Sequence, residues 1–407
     1  MKKLMILCLL LAFAGCGKKE ETMVSPEPAA STPPVQTAAS VPVPASTEEP
    51  ERLSGYFRDQ LNETQQTVYD RVLEASQLYM DTVEIPETAY TDVMRAVSAL
   101  GQDHPEFWWL HNYTMTQIQD AEGPVVGIEL TLLAAAEDPE AVSERIADAA
   151  DIILAEAEQY ISAYDRLRYY YEALAERTVY DESAENSQDI RSIFLDHRGV
   201  CAGYAGALKY LCDRSGIPCL YVTGEASDAY GNTDYHTWNC VRLDGDWYWV
   251  DPTWAEITTV DPQTGIETEY SDRLNHFDLC FDDSELYLRH RLFTDDRTED
   301  PSGYRIAFTY PVCTEETYEY CVLTGCRFDT YDREAVSTSL RTQYERTAGT
   351  DICLQFGTKE QYDAAVDDLL QGDFPYINEV FRPYRDDFTG YSCIFSDDHY
   401  GFMLYVQ

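Results

Sequence analysis

The sequence predicts an α+β fold, and the observations behind this prediction come from its central part. Residues 201–214 carry apolar side chains at helical spacing. Residues 220–224, 235–243 and 247–250 read as strands, and Asp244-Gly245-Asp246 is a turn signal that joins the last two as a hairpin. A helix followed by an antiparallel meander is the order expected of an α+β domain.

Residues 51–178 are predicted to form a helical amino-terminal region. Much of this region repeats apolar side chains at spacings of three, four and seven, as one face of a helix does. The separate predictions are helices within 68–80 and 90–100, a strand or packed aromatic loop at 107–110, a strand over 124–134 and a helical segment over 138–178.

Residues 301–407 are predicted to form a small separate α+β domain. Its signals are a strand over 351–356, a helix over 359–370 and a terminal hairpin of 391–395 with 401–406. The sequence assigns no role to this domain.

Residues 1–16 are typical of an export signal. Met1-Lys2-Lys3 is positively charged, residues 4–13 form a short apolar run, and Ala14-Gly15-Cys16 is a small-residue cleavage site that ends in cysteine. This pattern resembles a bacterial lipoprotein signal, which implies cleavage before Cys16 and a lipid on its sulfur. An ordinary secretory signal with an incidental cysteine is the alternative.

Residues 17–50 are rich in Pro, Ala, Ser, Thr, Val and Glu. Such a composition cannot bury a core, so it predicts a disordered and fairly extended tether. With the lipid on Cys16, the tether predicts an exported protein that is held at the outer face of the bacterial cell membrane by its anchor alone.

The charge of the chain is strongly negative. Lys plus Arg is 29 and Asp plus Glu is 73, which gives a net charge of −44, and four of the six lysines lie in the first nineteen residues. A surface of this sign repels phosphate backbones, so no nucleic-acid partner is expected. Solubility accounts for the acidity, and the more specific alternative is an acidic surface that suits a cationic substrate.

Ten cysteines follow Cys16 along the chain. An exported protein can form disulfides, but a sequence does not reveal their connectivity. Several of these cysteines lie in apolar runs, where a buried thiol is an equal alternative. There are no paired CxxC motifs, so a structural zinc site is not predicted.

Three segments carry residues that suit nucleophilic catalysis. The first, 199–205, places Cys201 at the start of a predicted helix, where unpaired N–H groups and the positive end of the dipole favour a thiolate. His236 lies on the strand 235–243, and Asp251 follows the next strand. In adjacent antiparallel strands the carboxylate can orient the imidazole while the imidazole takes the thiol proton.

These segments resemble the transglutaminase-like superfamily, a papain-related group of Cys-His-Asp acyl-transfer proteins. The resemblance rests on Gly199-Val200-Cys201-Ala202-Gly203-Tyr204-Ala205, on His236-Thr237-Trp238-Asn239 and on Trp247-Tyr248-Trp249-Val250-Asp251-Pro252-Thr253-Trp254. It covers a predicted domain over 179–300, and the segment from Asn275 to His290 is similar to the tail of secreted bacterial members. The resemblance implies a papain-like core.

By the same resemblance, Cys201 is the nucleophile, His236 the general base and acid, and Asp251 the orienting carboxylate. The oxyanion would bind the Cys201 backbone N–H and a second donor that the sequence does not identify. Tyr204, Trp238 and Trp254 are candidates for the substrate groove, with core packing as the alternative for each. Asp228, Asn232 and Asp234 form a polar loop without an EF-hand pattern, so no metal or other cofactor is predicted.

The predicted activity is acyl transfer from peptide or protein amides through a thioester on Cys201. Water as the acceptor makes the enzyme a peptidase or amidase, which is the favoured reading, and an amine as the acceptor makes it a cross-linking transglutaminase. A non-catalytic module that binds peptide or cell-wall material in the same groove is the alternative from another class. The expected partner is therefore a peptide, protein or cell-wall substrate.

Overall fold

The computed structural model describes ten stretches of the chain in addition to Met5–Ile6. These stretches are 55–119, 125–133, 138–227, 233–260, 267–294, 306–349, 352–371, 375–384, 391–396 and 398–406. The predicted signal, Cys16 and the tether over 17–50 lie outside them, apart from the two-residue strand Met5–Ile6. The described chain divides into two compact units, and the division within its carboxyl-terminal part falls between Leu323 and Thr324.

The first unit is built around the helix Cys201–Ser215, called the central helix below. It packs against the strands Cys219–Ser227 and Thr233–Leu243 of a five-stranded sheet. The central helix is buried from Cys201 to Lys209, because it is covered by other elements on most of its circumference. It ends at Gly216, whose φ of 74° is a left-handed conformation that glycine adopts without a steric penalty.

The five-stranded sheet is antiparallel in all its pairings. Its strand order is Leu279–Phe281, Asp246–Val250, Thr233–Leu243, Cys219–Ser227 and His290–Leu292. The hairpin expected at Asp244-Gly245-Asp246 joins two of these strands, and Asp244 and Gly245 both have positive φ. An α+β fold is therefore present, as the helix-then-meander order predicts.

The amino-terminal part of the first unit is not wholly helical, which corrects the prediction for 51–178. Thr82–Pro86, Thr114–Gln119 and Val125–Thr131 form a three-stranded antiparallel sheet with the last strand in the middle. The sequence pattern did not predict Thr82–Pro86, which is only five residues long, or Thr114–Gln119, whose apolar residues Met115 and Ile118 do not alternate. The aromatic segment after Phe107 is a short 3-10 helix, Trp108–Asn112.

The helical segment predicted over 138–178 is two helices rather than one. Pro139–Ala157 ends before Ser162, whose side chain accepts a hydrogen bond from the Asp165 backbone N–H and so begins the next helix. The helices of the first unit are Glu63–Gln77, Tyr90–Asp103, Pro139–Ala157, Ala163–Arg177, Ile190–Phe194, Cys201–Ser215, Asp283–Arg289 and Tyr320–Leu323. Its remaining strands are Val179–Tyr180 paired with Arg198–Gly199, and Glu256–Val260 paired with Glu267–Leu274.

The second unit has a four-stranded sheet flanked by helices. The sheet order is Arg327–Phe328, Ile352–Phe356, Gly401–Val406 and Tyr391–Ser396, and the last two strands form the expected terminal hairpin. The helices are Arg333–Thr347, Lys359–Leu369 and Ile377–Val380. Among the residues that the structure describes in both units, no helix is long and apolar enough to span a bilayer.

Candidate active site

Cys201 is the first residue of the central helix, and only 8% of it is exposed. The preceding Val200 is extended and provides no side-chain cap, so no side chain of that residue competes for the N–H groups of the first turn. The chain is tight here, because a Cβ on Gly199 or Gly203 would lie within 2.8 Å of the Ser192 Oγ. Glycine at both positions therefore lets this end of the helix pack closely against its neighbour.

Cys201 borders a cleft of about 330 Å³. The cleft is also lined by Tyr180, Glu182, Gln188, Val200, Ala202, Asp234, Tyr235 and Thr237. Two of these side chains are carboxylates, and none of the described lining residues is basic. The cleft therefore gives the Cys201 sulfur a route to a substrate and surrounds it with negative charge.

His236 and Asp251 form the hydrogen bond that the sequence predicts. The Nε2 of His236 lies 2.6 Å from the Oδ2 of Asp251, and 2% of His236 and none of Asp251 is exposed. His236 lies on Thr233–Leu243, and Asp251 directly follows the adjacent antiparallel strand Asp246–Val250. Opposite His236, Gly224 is required, because a Cβ there would lie 2.6 Å from the Trp238 ring.

The Asp251 carboxylate is held by donors on both of its oxygens. Its Oδ1 accepts from the Thr253 backbone N–H at 3.0 Å, which caps the 3-10 turn Pro252–Trp254. Its Oδ2 lies 3.1 Å from the Nε2 of His290 in addition to the 2.6 Å contact with His236. A fully buried carboxylate needs such partners, because burying it without them would cost several kcal/mol (about 1–3 for each unmade hydrogen bond).

The electrostatic effects within this group favour an ion pair between Asp251 and His236. Burial alone raises the pKa of Asp251, but the charge of His236 and the hydrogen bonds from His236 and His290 outweigh it and hold the pKa well below its usual range. Burial alone lowers the pKa of His236, yet the charge and hydrogen bond of Asp251, aided by Cys201, raise it to about 10. Asp251 and Cys201 thus favour the protonated form of the His236 ring over its neutral form.

His290 is a member of the site to which the sequence analysis gave no role. It begins the strand His290–Leu292 at the edge of the five-stranded sheet, and 1% of it is exposed. In the sequence it is the last residue of the segment from Asn275 to His290. The signal that could have found it is the position of a second histidine in that segment, but nothing in the sequence pairs it with Asp251.

Aromatic rings enclose the two histidines. Trp254 stacks on His236 with ring centroids 5.2 Å apart, and Trp238 lies on His236 at 5.9 Å. His290 contacts the same two tryptophans at 4.4 and 4.7 Å. Trp238 is fully buried and Trp254 is 6% exposed, so both shield the ion pair from water instead of forming an open groove wall.

Tyr204 is also a core residue, which corrects its candidacy for the substrate groove. It is fully buried, and its hydroxyl donates to the Thr178 carbonyl at 2.9 Å and contacts the Glu256 carboxylate at 2.5 Å. Asn239 is buried as well and donates to the backbone carbonyls of Ala205 and Leu220, which ties the sheet to the central helix.

The ligand atoms of His236, Asp251 and His290 lie within 4.8 Å of one another, as they would around a metal ion. The 2.6 Å separation of the His236 Nε2 and the Asp251 Oδ2 argues for a hydrogen bond instead. Two ligands of a tetrahedral ion with bonds of about 2.0–2.1 Å are held roughly 3.3 Å apart. Of the polar loop considered for a metal, Asp228 and Asn232 lie outside the described residues, and Asp234 borders the cleft.

Comparison with known proteins places this site in a recognised superfamily. Residues 149–252 match the sequence model of the transglutaminase-like superfamily, and this range contains Cys201, His236 and Asp251. The chain therefore carries a domain of the transglutaminase-like superfamily over these residues.

Among individual proteins, the chain is similar to kyphoscoliosis peptidase. It is 28% identical to the protein from Homo sapiens over 155 residues, which are 35% of this chain and 22% of that protein. It is 27% identical to the protein from Mus musculus over 124 residues, which are 27% of this chain and 19% of that protein. The match thus spans about a fifth of the length of these relatives. A crystal structure of a TGase aligns at 16% identity with a TM-score of 0.25, over 35% of this chain and 44% of that chain.

Proposed function

We propose that this protein is a thiol acyl-transfer enzyme that cleaves peptide or protein amides through a thioester on Cys201. The observation that carries the proposal is the buried His236–Asp251 pair with its 2.6 Å hydrogen bond, next to a cysteine that begins a helix and borders a cleft. A buried ion pair is costly to desolvate and adds little stability by itself. A catalytic role accounts for its presence better than a purely binding module does.

In the first half of the reaction, the Cys201 thiolate attacks the amide carbonyl. The C–N bond then breaks, and the imidazolium of His236 gives its proton to the departing amine. In the second half, neutral His236 takes a proton from water as the water oxygen attacks the thioester, and the carboxylic acid leaves as Cys201 regains the thiolate. Asp251 keeps the imidazole oriented and stabilises its charged form throughout.

Hydrolysis is the proposed outcome, supported by the peptidase name of the matched relatives. Transamidation is the second candidate, because the carboxylates of Glu182 and Asp234 line the cleft and would attract a cationic amine acceptor. The two outcomes differ only in whether water or an amine attacks the thioester.

A peptide library incubated with the protein, with and without a biotinylated alkylamine, tests both candidates by mass spectrometry. Hydrolysis predicts shorter peptides or free acids, and transamidation predicts amine adducts that decrease in Glu182→Gln and Asp234→Asn variants. Cys201→Ala should abolish either product. If the wild-type protein and Cys201→Ala both leave every peptide unchanged, and iodoacetamide does not modify Cys201, the enzymatic proposal is wrong.

The enzyme is further proposed to act at the outer face of a bacterial membrane, anchored through a lipid on Cys16. The support is the Ala14-Gly15-Cys16 junction and the composition of residues 17–50. Cys16→Ser should shift the protein from the membrane fraction to the soluble fraction or block its processing. Unchanged fractionation and an unchanged mass of the amino-terminal peptide would exclude this anchor.

A further inference from the structure

Asp251 contacts a second histidine, His290, in addition to His236, and this contact suggests that a fourth residue supports the three already assigned. The His290 Nε2 lies 3.1 Å from the same Oδ2 that His236 contacts at 2.6 Å. One carboxylate oxygen therefore contacts two imidazoles that come from two different strands of the sheet. His290 is separated from Asp251 by 39 positions in sequence, so this contact exists only because strand His290–Leu292 joins the sheet beside Cys219–Ser227.

We propose that His290 is a positioning residue, which donates its Nε2–H to Asp251 and thereby holds that carboxylate charged and aimed at His236. This inference rests on the proposed function of Cys201, His236 and Asp251. His290 acts on Cys201 through Asp251 and His236, so it is not itself a catalytic residue.

The surroundings of His290 keep it in the neutral, donating form. Trp254, Trp238 and Phe281 lie with ring centroids 4.4, 4.7 and 5.8 Å from its ring, which removes water from it. The charged groups that act on it are Asp251, His236 and Arg289. Burial lowers the pKa of His290 to about 4, and His236 and Arg289 act in the same direction, although Asp251 opposes them.

A neutral imidazole has one N–H, and its position decides what the ring can do. The Asp251 Oδ2 accepts only, because the carboxylate is ionised, so the 3.1 Å contact requires the proton of His290 to be on Nε2. Two donors on Oδ2 and the Thr253 N–H on Oδ1 then restrict rotation of the carboxylate. Without His290, Asp251 would retain His236 and Thr253 but would lose one of the groups that stabilise its charge.

The effect should be transmitted to Cys201 through His236. Loss of the His290 donor leaves the Asp251 carboxylate freer to rotate, so a smaller fraction of the protein holds its hydrogen bond to the imidazolium of His236. The imidazolium in turn favours the thiolate. Replacement of His290 by Phe keeps an aromatic ring and removes the donor, whereas His290→Gln keeps an N–H donor. His104, whose Nδ1 lies 2.9 Å from the Glu106 carboxylate, offers a matched histidine–carboxylate pair away from the site.

The test is the rate at which iodoacetamide alkylates Cys201 between pH 4 and 10, measured by mass spectrometry on the reduced full-length protein. In His290→Phe we expect the acid limb of this profile to move to higher pH, with the rate at pH 6 falling about tenfold for each pH unit of movement. His290→Gln should fall between His290→Phe and the wild type, and His104→Gln should match the wild type.

A purely structural role for His290 would lower the melting temperature of His290→Phe and leave the alkylation profile per folded molecule unmoved, which would overturn the inference. If the variants do not fold, the ¹⁵N spectrum of histidine-labelled wild-type protein decides: a neutral His290 with its proton on Nε2 supports the inference, and a proton on Nδ1 or a cation at pH 7 refutes it. Failure of the proposed function would be distinct, because wild-type Cys201 would then be unreactive whatever residue occupies position 290.

Discussion

The substitution Asp251→Asn separates catalysis from structure at this site. An Asn side chain has one acceptor oxygen and one donor amide in place of two acceptor oxygens. In the structure, Oδ1 accepts from the Thr253 N–H, and Oδ2 accepts from the two histidines. Whichever way the Asn amide is turned, its NH₂ group faces at least one of these donors.

The magnitude follows from the number of hydrogen bonds that become impossible. One unsatisfied buried donor costs about 1–3 kcal/mol. For a folding unit of this size, each kcal/mol lowers the melting temperature by roughly 2–4 °C, so a decrease of about 2–12 °C is expected. The turnover rate should fall by at least about 100-fold, because the loss of the carboxylate removes both the orientation and the charged form of His236. In serine proteases the equivalent change lowers the rate by about 10⁴-fold.

The assay measures turnover of any cleaved library peptide, together with the melting temperature on the same samples. Asp103→Asn is the matched control, because Asp103 is also a buried carboxylate and accepts from the backbone N–H groups of Phe57 and Arg58. The Asp103→Asn protein should melt at a lower temperature than the wild type but keep the wild-type rate per folded molecule. An Asp251→Asn protein that is destabilised but fully active would remove Asp251 from the mechanism and leave a Cys-His dyad.

Four further outcomes are expected. Iodoacetamide should modify Cys201 before Cys240 in the reduced, folded protein, because burial raises the pKa of Cys240 well above its usual value; faster labelling of Cys240 would contradict the assignment. Adding Asp251→Asn to His236→Ala should lower turnover little beyond His236→Ala alone, whereas multiplied losses would mean independent roles. The pKa of His236 is raised to about 10, so the stabilising contribution of its charged ring is full below about pH 6.5 and is lost as the pH rises through about 10. The difference in free energy of unfolding between wild type and His236→Gln, measured with urea at pH 6, 8 and 10, should therefore shrink as the pH rises. A constant difference would refute this prediction. Gly224→Ala should lower the melting temperature and turnover together, because its Cβ would overlap the Arg291 carbonyl and lie 2.6 Å from the Trp238 ring; an unaffected protein would show that the sheet can shift freely.

The sequence identified the pieces that depend on local pattern. The central helix and the three strands that follow it were predicted close to their observed bounds, because each has a clear period or a turn signal. The triad was proposed from residue types, from their order along the chain and from the resemblance of their motifs to the transglutaminase-like superfamily. Its His236–Asp251 contact follows from adjacent strands, a juxtaposition that a hairpin turn makes predictable.

Features that depend on contacts between distant segments were decided by the tertiary structure. Strand Thr114–Gln119 has little apolar alternation of its own and exists through its pairing with Val125–Thr131. Tyr204 has the same helical spacing whether its face meets substrate or core, and only the packing around it shows that it is buried. His290 reaches Asp251 because an edge strand returns to the sheet from 39 positions away. Residue type and local spacing thus determined which chemistry is proposed for the chain, whereas long-range packing determined which further groups surround the proposed site.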